Sequence, residues 1–185
     1  MFGKIQRIDD RVLERIIKIH RPALNKIMIL FSNAGTFGTI WWIICLPFLF
    51  NQKWRMTGIN FIIALCIAHL MGQIILKNIV KRTRPCHKLD DDDLIVDRPR
   101  YYSFPSGHTA ASFAMVGVAL LRCRMTAFLP IIILASLISF SRIYLRVHYL
   151  TDVIVGALLG LVCGICSVAI FNAVYPALFP AMQCN

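Results

Sequence analysis

Between residues 36 and 175 the chain alternates long apolar stretches with short charged connections, and no other feature limits its fold as strongly. Five stretches, 36–50, 58–76, 104–121, 125–140 and 153–175, approach the roughly 20 helical residues that a bilayer requires. Hydrocarbon offers a backbone no hydrogen-bond partner, so each segment must satisfy its own N–H and C=O groups as a helix. The expected fold is therefore an all-α integral membrane bundle. A 58% hydrophobic composition agrees, being too apolar for a soluble domain of 185 residues. Pro47 and Pro130 are expected to kink the first and fourth spans.

Ahead of the spans, Val12, Leu13, Ile16, Ile17 and Ile19 alternate with Arg11, Glu14, Arg15 and Lys18, the pattern of an amphipathic helix lying in a membrane surface. Nothing from Met1 to Arg21 has the continuous apolar core of a cleavable signal peptide. A second apolar piece, 23–31, is too short to cross alone and is expected to pack obliquely, with a sixth span as the alternative. The organisation predicted is one membrane domain, 1–185, with an interfacial segment over 1–34 and the bundle over 36–175. In the last span Gly156, Gly160 and Gly164 recur every fourth residue, predicting close helix approach within the bundle rather than dimerisation. Trp41 and Trp42 near one end of a span, and Trp54 at the other surface, suit either interfacial anchoring or packing.

The net charge of +11 lies almost wholly between the apolar stretches. Nucleic acid binding needs a continuous solvated basic face, so anionic headgroups and phosphates are the expected partners, together with the bilayer itself. Cys45, Cys66, Cys163 and Cys166 sit inside apolar stretches, where a thiol packs as a small hydrophobe. If the five helices alternate, connections 51–57 and 122–124 share one side, and 81–103 and 142–151 share the other. Lys53, Arg55, Arg122 and Arg124 in the two short connections favour the cytoplasm for the first side, although the other side is also basic.

Three clusters then fall on the opposite face. The first is KNIVKRTRP at 77–85, where Lys77 and Arg84 can reach one anion. The second is Pro105, Ser106, Gly107 and His108: proline suits a helix start, and the following N–H groups have no partner within the helix. Such an end attracts phosphate, with Gly107 permitting close approach, the Ser106 hydroxyl adding a donor and His108 placed to protonate a leaving oxygen. The third runs from Ser141 and Arg142 to His148 and Asp152. Spacing of four puts His148 and Asp152 on one face of a helical turn, where the carboxylate can hold the imidazole in its reactive tautomer. Asp152 is also an acid at the start of a membrane span, a position that demands a partner. Each cluster alone has a plain structural explanation, as flanking charge, helix cap or turn. Jointly they supply positive charge from Lys77, Arg84 and Arg142, a nucleophile in His148 and an acid in His108.

Lys77 with Arg84 and Pro85, PSGH at 105–108, and Ser141, Arg142, His148 and Asp152 together resemble the phosphatidic acid phosphatase type 2 family, which also holds vanadium haloperoxidases and glucose 6-phosphatase. The resemblance covers about 58–175. It implies that His148 attacks phosphorus, that His108 protonates the departing lipid oxygen, and that water then hydrolyses a phosphohistidine. It also implies that Lys77, Arg84, Arg142, Ser106 and the Gly107 N–H stabilise the equatorial phosphate oxygens without a metal or other cofactor. Small bacterial members recycle undecaprenyl diphosphate, which puts that lipid first, ahead of phosphatidylglycerophosphate, phosphatidic acid and diacylglycerol pyrophosphate. The resemblance further implies an extracytoplasmic site in the cell membrane. A catalytically silent lipid-binding or transport protein is the non-enzyme alternative, disfavoured because His108, His148 and Asp152 are all present.

Two further features stand apart. Asp90 to Asp93 form an acidic run in the loop before PSGH, expected to be a solvated stretch rather than a cation site. His69 and Gln73, inside the second span, are expected to make interhelical hydrogen bonds.

Overall fold

The computed structural model describes residues 2–178, so the expected single domain of 1–185 reaches past the described residues at both ends. In chain order the helices are α1 Phe2–Ile17, α2 Pro22–Ala34, α3 Thr39–Phe50, α4 Arg55–His69, α5 Lys77–Val80, α6 Gly107–Arg122, α7 Met125–Tyr144 and α8 Leu150–Leu178. No strand occurs among the described residues.

Pro22 begins α2 at a first-turn position where its missing N–H costs nothing. The helix stops at Gly35, and the chain passes through Phe37 (φ 52°) and Gly38 (φ 70°) before α3. Two consecutive residues in the left-handed region cannot continue a right-handed helix. The resulting bend between α2 and α3 is 53°. Helix α2, which covers the apolar piece 23–31, packs on the end of α7, where Tyr144 Oη donates to Asn25 Oδ1 at 2.6 Å.

Wide π-type turns over Leu70–Leu76 join α4 to α5, and such turns often mark functional segments. Lys81 (φ 49°) then ends the helix in a left-handed residue, the usual helix-stop geometry.

The glycines of α8 set its distance from α6. A Cβ on Gly156 would lie 2.7 Å from the Ser106 carbonyl oxygen, and one on Gly117 of α6 would lie 2.7 Å from that of Leu161. Backbone meets backbone along this seam, as the four-residue spacing predicts. Around it Phe61, Met115, Val118 and Ile138 form the buried core. Trp41 belongs to that core, fully buried with Nε1 donating to Ser112 Oγ at 3.0 Å, so of its two expected roles packing is the one found.

Among the described residues, three helical stretches are long and apolar enough to cross a membrane: Arg55–Lys88, Met125–Tyr144 and Leu150–Tyr175. The bent pair α2 and α3 makes a fourth if taken together. Of the five predicted spans, 36–50 contains a helix of only 12 residues and 104–121 one of 16 residues, both shorter than the expected length. Pro47 and Pro130 lie inside α3 and α7 without ending them.

Candidate active site

The C-terminal ends of α5 and α7 and the N-terminal ends of α6 and α8 meet at one end of the bundle. The joining contact is backbone: Ser106 N–H donates to the Asp152 carbonyl at 3.0 Å, made possible by Gly156 in the next turn. Ser106 N–H is thereby committed, leaving the Gly107 and His108 N–H groups at the start of α6 without helical partners.

His148 lies in the turn between α7 and α8. Arg146 (φ 57°) reverses the chain there, and the Arg142 carbonyl accepts from both Val147 N–H (3.2 Å) and His148 N–H (3.1 Å). The turn therefore fixes the backbone of His148 to that of Arg142. The His148 side chain is buried, and Arg84 Nη1 donates to its Nε2 at 3.0 Å. Guanidinium has no acceptor, so Nε2 presents a lone pair and the ring proton sits on Nδ1. Burial first, then the Arg84, Arg142 and Lys77 cations, pushes the imidazole well below its ordinary pKa, so the ring is neutral.

Arg84 is anchored by backbone as well, through Nε to the Tyr101 carbonyl at 2.6 Å and Nη1 to that of Val147 at 2.8 Å. Lys77 is buried, donates to Gln73 Oε1 and stands 5.9 Å from the Tyr101 ring centroid. Arg142 donates through Nη1 to Ser32 Oγ and keeps a buried, unpartnered Nε. Three cations thus converge within one small buried region, an arrangement whose repulsion an anion relieves.

The His108 ring rests against the end of α2: a Cβ on Gly35 would be 2.8 Å from its Cδ2. Its Nε2 is buried without a hydrogen-bond partner. Buried polar atoms are ordinarily paired, so this nitrogen is open to a ligand oxygen or a water. Ser106 is buried, and its Oγ accepts from Thr109 Oγ1 at 2.9 Å, which leaves the Ser106 proton free to donate.

Asp152 departs from expectation. His148 precedes α8 instead of lying within it, so the two do not share a helical turn. The carboxylate Oδ2 is 3.6 Å from His148 Nδ1, too far for a hydrogen bond, and accepts instead from Ser103 Oγ (2.7 Å) and Tyr149 N–H (2.9 Å). The bond to Tyr149 is the one-sided, N3-to-N-cap half of a capping box at the start of α8. Its Oδ1 accepts from Arg82 Nη1 at 2.7 Å.

All eight predicted residues, Lys77, Arg84, Ser106, Gly107, His108, Arg142, His148 and Asp152, lie at this end. Sequence reasoning did not single out Ser32, Gly35, Arg82 or Ser103. Gln73 was expected to bond between helices; instead it faces Lys77 and fills the space beside Gly107, where any Cβ would overlap its amide. The acidic run is exposed, and Asp91 pairs with Arg98 of the same loop. A separate cavity of about 290 Å³, lined by residues including Phe48, Trp54 and Arg124, lies at the far end of α6.

A family model described as the PAP2 superfamily matches residues 57–176. An undecaprenyl-diphosphatase of Sulfolobus acidocaldarius is 32% identical over 162 residues, 86% of this chain and 78% of that protein. Phosphatidylglycerophosphatase B of Bacillus subtilis is 25% identical over 171 residues, 85% of this chain and 80% of that protein. The crystal structure of Aquifex aeolicus LpxE superposes with a TM-score of 0.76 at 28% identity, covering 88% of this chain and 95% of that one.

Proposed function

The chain belongs to the PAP2 superfamily as a multi-pass membrane lipid-phosphate hydrolase, and we propose that it removes the terminal phosphate of undecaprenyl diphosphate through a phosphohistidine on His148. One observation carries this reading above the rest: Arg84 Nη1 donates to His148 Nε2 at 3.0 Å, so that nitrogen holds a lone pair among the buried Lys77, Arg84 and Arg142 cations.

A terminal phosphate bound here takes the Arg84, Lys77 and Arg142 donors onto its oxygens, together with the Gly107 N–H and the Ser106 hydroxyl. Arg84 then releases Nε2, which attacks phosphorus. His108 Nε2 gives its proton to the leaving lipid oxygen, and the P–O bond to the lipid breaks as the N–P bond forms. Water, deprotonated by the now neutral His108, breaks the N–P bond and frees phosphate. Asp152 holds the His148 ring through charge, which favours the imidazolium-like transition state. Cationic side chains do the work that a metal ion does elsewhere, so no metal is required.

The relatives act on both a diphosphate and, by name, a phosphatidylglycerophosphate. The higher identity of the undecaprenyl-diphosphatase favours the diphosphate, with phosphatidylglycerophosphate and phosphatidic acid as second readings. In the bilayer we place α3, α4 with its continuation, α6, α7 and α8 as five crossings, α1 on the surface as an interfacial helix, and the site on the extracytoplasmic face. Lys53, Arg55, Arg122 and Arg124 at the other end support that orientation.

The test is phosphate release by purified protein in detergent with EDTA present, on a panel of lipid phosphates, comparing wild type with His148→Ala. Fastest turnover of undecaprenyl diphosphate, lost in the variant, is expected. No release from any lipid, or equal release by the variant, overturns the enzyme reading, and a faster phosphomonoester overturns the substrate.

A further inference from the structure

Helix α1 sends one fully buried carboxylate, Asp9, into the end of the bundle that holds the site. Asp9 Oδ2 accepts from Arg82 Nη2 at 2.7 Å and from Thr151 Oγ1 at 2.6 Å, while Oδ1 accepts from Thr151 N–H at 3.0 Å. The Thr151 N–H is one of the donors that α8 leaves unsatisfied at its start, so Asp9 caps α8 from outside. Arg82 in turn donates through Nη1 to Asp152 Oδ1 at 2.7 Å and to Thr151 Oγ1 at 2.8 Å, and through Nη2 to Gln6 Oε1 at 2.9 Å. Its guanidinium carbon stands over the Tyr149 ring, 3.9 Å from the centroid.

Two buried carboxylates share one guanidinium. Removing a carboxylate from water costs several kcal/mol, and one kept this deep needs full compensation. Asp152 has it from Arg82, Ser103 and Tyr149, which leaves Oδ2 turned toward His148 Nδ1. Arg82 can hold that position only if it is itself held, and Asp9 is the charged group that holds it from the other side. Asp9 lies outside residues 57–176.

From this chain of contacts we infer that Asp9 and Arg82 are positioning residues: Asp9 of α1 fixes Arg82, Arg82 fixes Asp152, and Asp152 sets the orientation and charge balance of His148. The inference rests on the reading of His148 as nucleophile. It makes α1 part of the catalytic apparatus, in addition to its place on the membrane surface.

Charge separates positioning from scaffolding. His148 is faced by Lys77 and Arg84 from the first cluster, Arg142 from α7, His108 from α6 and Asp152 from α8. Arg82→Gln keeps these five residues but removes the cation that holds and neutralises Asp152, whose charge then favours the imidazolium, so the acid limb of activity moves to higher pH. Asp9→Asn concentrates the Arg82 charge on Asp152 and moves the same limb to lower pH.

The experiment measures kcat, KM and the pH profile on one lipid phosphate, with melting temperature in detergent, for wild type, Asp9→Asn, Arg82→Gln, Arg82→Lys and His148→Ala. Using the same substrate throughout makes its own ionisation common to every profile. The expected result is a kcat loss of roughly 10- to 100-fold with KM little changed, opposite displacements of the acid limb, and partial recovery in Arg82→Lys. Lower melting temperatures with wild-type kcat and pH limb overturn the inference. Should Asp9→Asn not fold, Gln6→Leu removes one neutral acceptor of Arg82, together with the exposed Gln6 bond to Asp10, and the same readouts decide: a smaller kcat loss at constant KM supports positioning, and none overturns it. An inactive wild type removes the enzyme reading itself, and this inference with it; an active wild type silenced by His148→Ala leaves that reading standing whatever Asp9 does.

Discussion

The Asp152 carboxylate approaches the His148 imidazole no closer than 3.6 Å, with Oδ2 already accepting two other hydrogen bonds. The pair is therefore coupled by charge across a short gap. An amide at 152 keeps an oxygen for Ser103 and Tyr149 but removes the negative charge that stabilises a cationic ring. Asp152→Asn is expected to lower kcat by up to roughly 10⁴-fold, the loss seen when the orienting carboxylate of a catalytic triad becomes an amide, with a smaller change in KM. Ser103→Ala frees Oδ2 from one donor and lets it close on Nδ1, so its kcat should stay within a few-fold of wild type. Steady-state kinetics on both variants checks this, and a silent Asp152→Asn removes Asp152 from the mechanism.

The neutral state of His148 has a consequence for stability. Its folded pKa lies well below 6.5, driven by burial and then by Arg84, Arg142 and Lys77, whereas the unfolded chain takes up a proton near the ordinary value. Below about pH 6.5 the unfolded state then binds more protons than the folded one, so stability falls as pH is lowered and is fully regained above that value. Melting temperature in detergent should drop between pH 7 and pH 5. His148→Asn removes the titrating group and should flatten part of that decline. An identical slope in the variant places the acid sensitivity elsewhere.

Gly35 and Gly38 stand three residues apart and are expected to fail differently. A Cβ at Gly35 would stand 2.8 Å from both His108 Cδ2 and Ile138 Cγ2, so Gly35→Ala must push the imidazole or α7 aside. At Gly38 the nearest atom is 3.7 Å away, but φ is +70°. Gly38→Ala should therefore cost about 1–2 kcal/mol in stability through backbone strain while leaving turnover near wild type. Gly35→Ala should lower kcat about 10-fold or more by misplacing His108, the acid of the proposed reaction. Unchanged kcat in Gly35→Ala would mean that His108 needs no fixed seat.

How far the sequence reveals such a site depends on what kind of contact makes it. Lys77, Arg84, the PSGH helix start, His148 and Asp152 are legible because each sits at a helix end, where spacing and residue type restrict position. The Gly156, Gly160 and Gly164 repeat is legible for the same reason, since a period of four marks a helix face. Asp9 is not. On the helical pattern of α1 it reads as one more polar residue of a surface helix, and only tertiary packing shows it buried against Arg82. Ser32 and Gly35 are equally silent, because no local rule connects the end of α2 to α6 or α7. The length of 36–50 misleads, since Phe37 and Gly38 adopt left-handed geometry that apolar character does not reveal.

The seam between α6 and α8 offers the sharpest test of how packing serves chemistry. A Cβ at Gly160 would lie 2.8 Å from the Ala114 nitrogen and 3.0 Å from the Phe113 carbonyl carbon, both backbone atoms that no rotamer change can move. Alanine is favoured over glycine in a helix interior by about 1 kcal/mol, whereas overpacking costs typically 1–3 kcal/mol. Because the obstruction is backbone, the upper part of that range applies and Gly160→Ala should be net destabilising. Pushing α8 outward also strains the Ser106 N–H bond to the Asp152 carbonyl, which joins the start of α6 to the segment that follows His148. Activity and melting temperature should therefore fall together. Gly3→Ala is the matching control: nothing lies within 4 Å of its Cβ, so only helix propensity changes and both readings should hold or rise. If Gly160→Ala melts like wild type, α6 and α8 can separate without penalty and the four-residue glycine spacing does not set their distance.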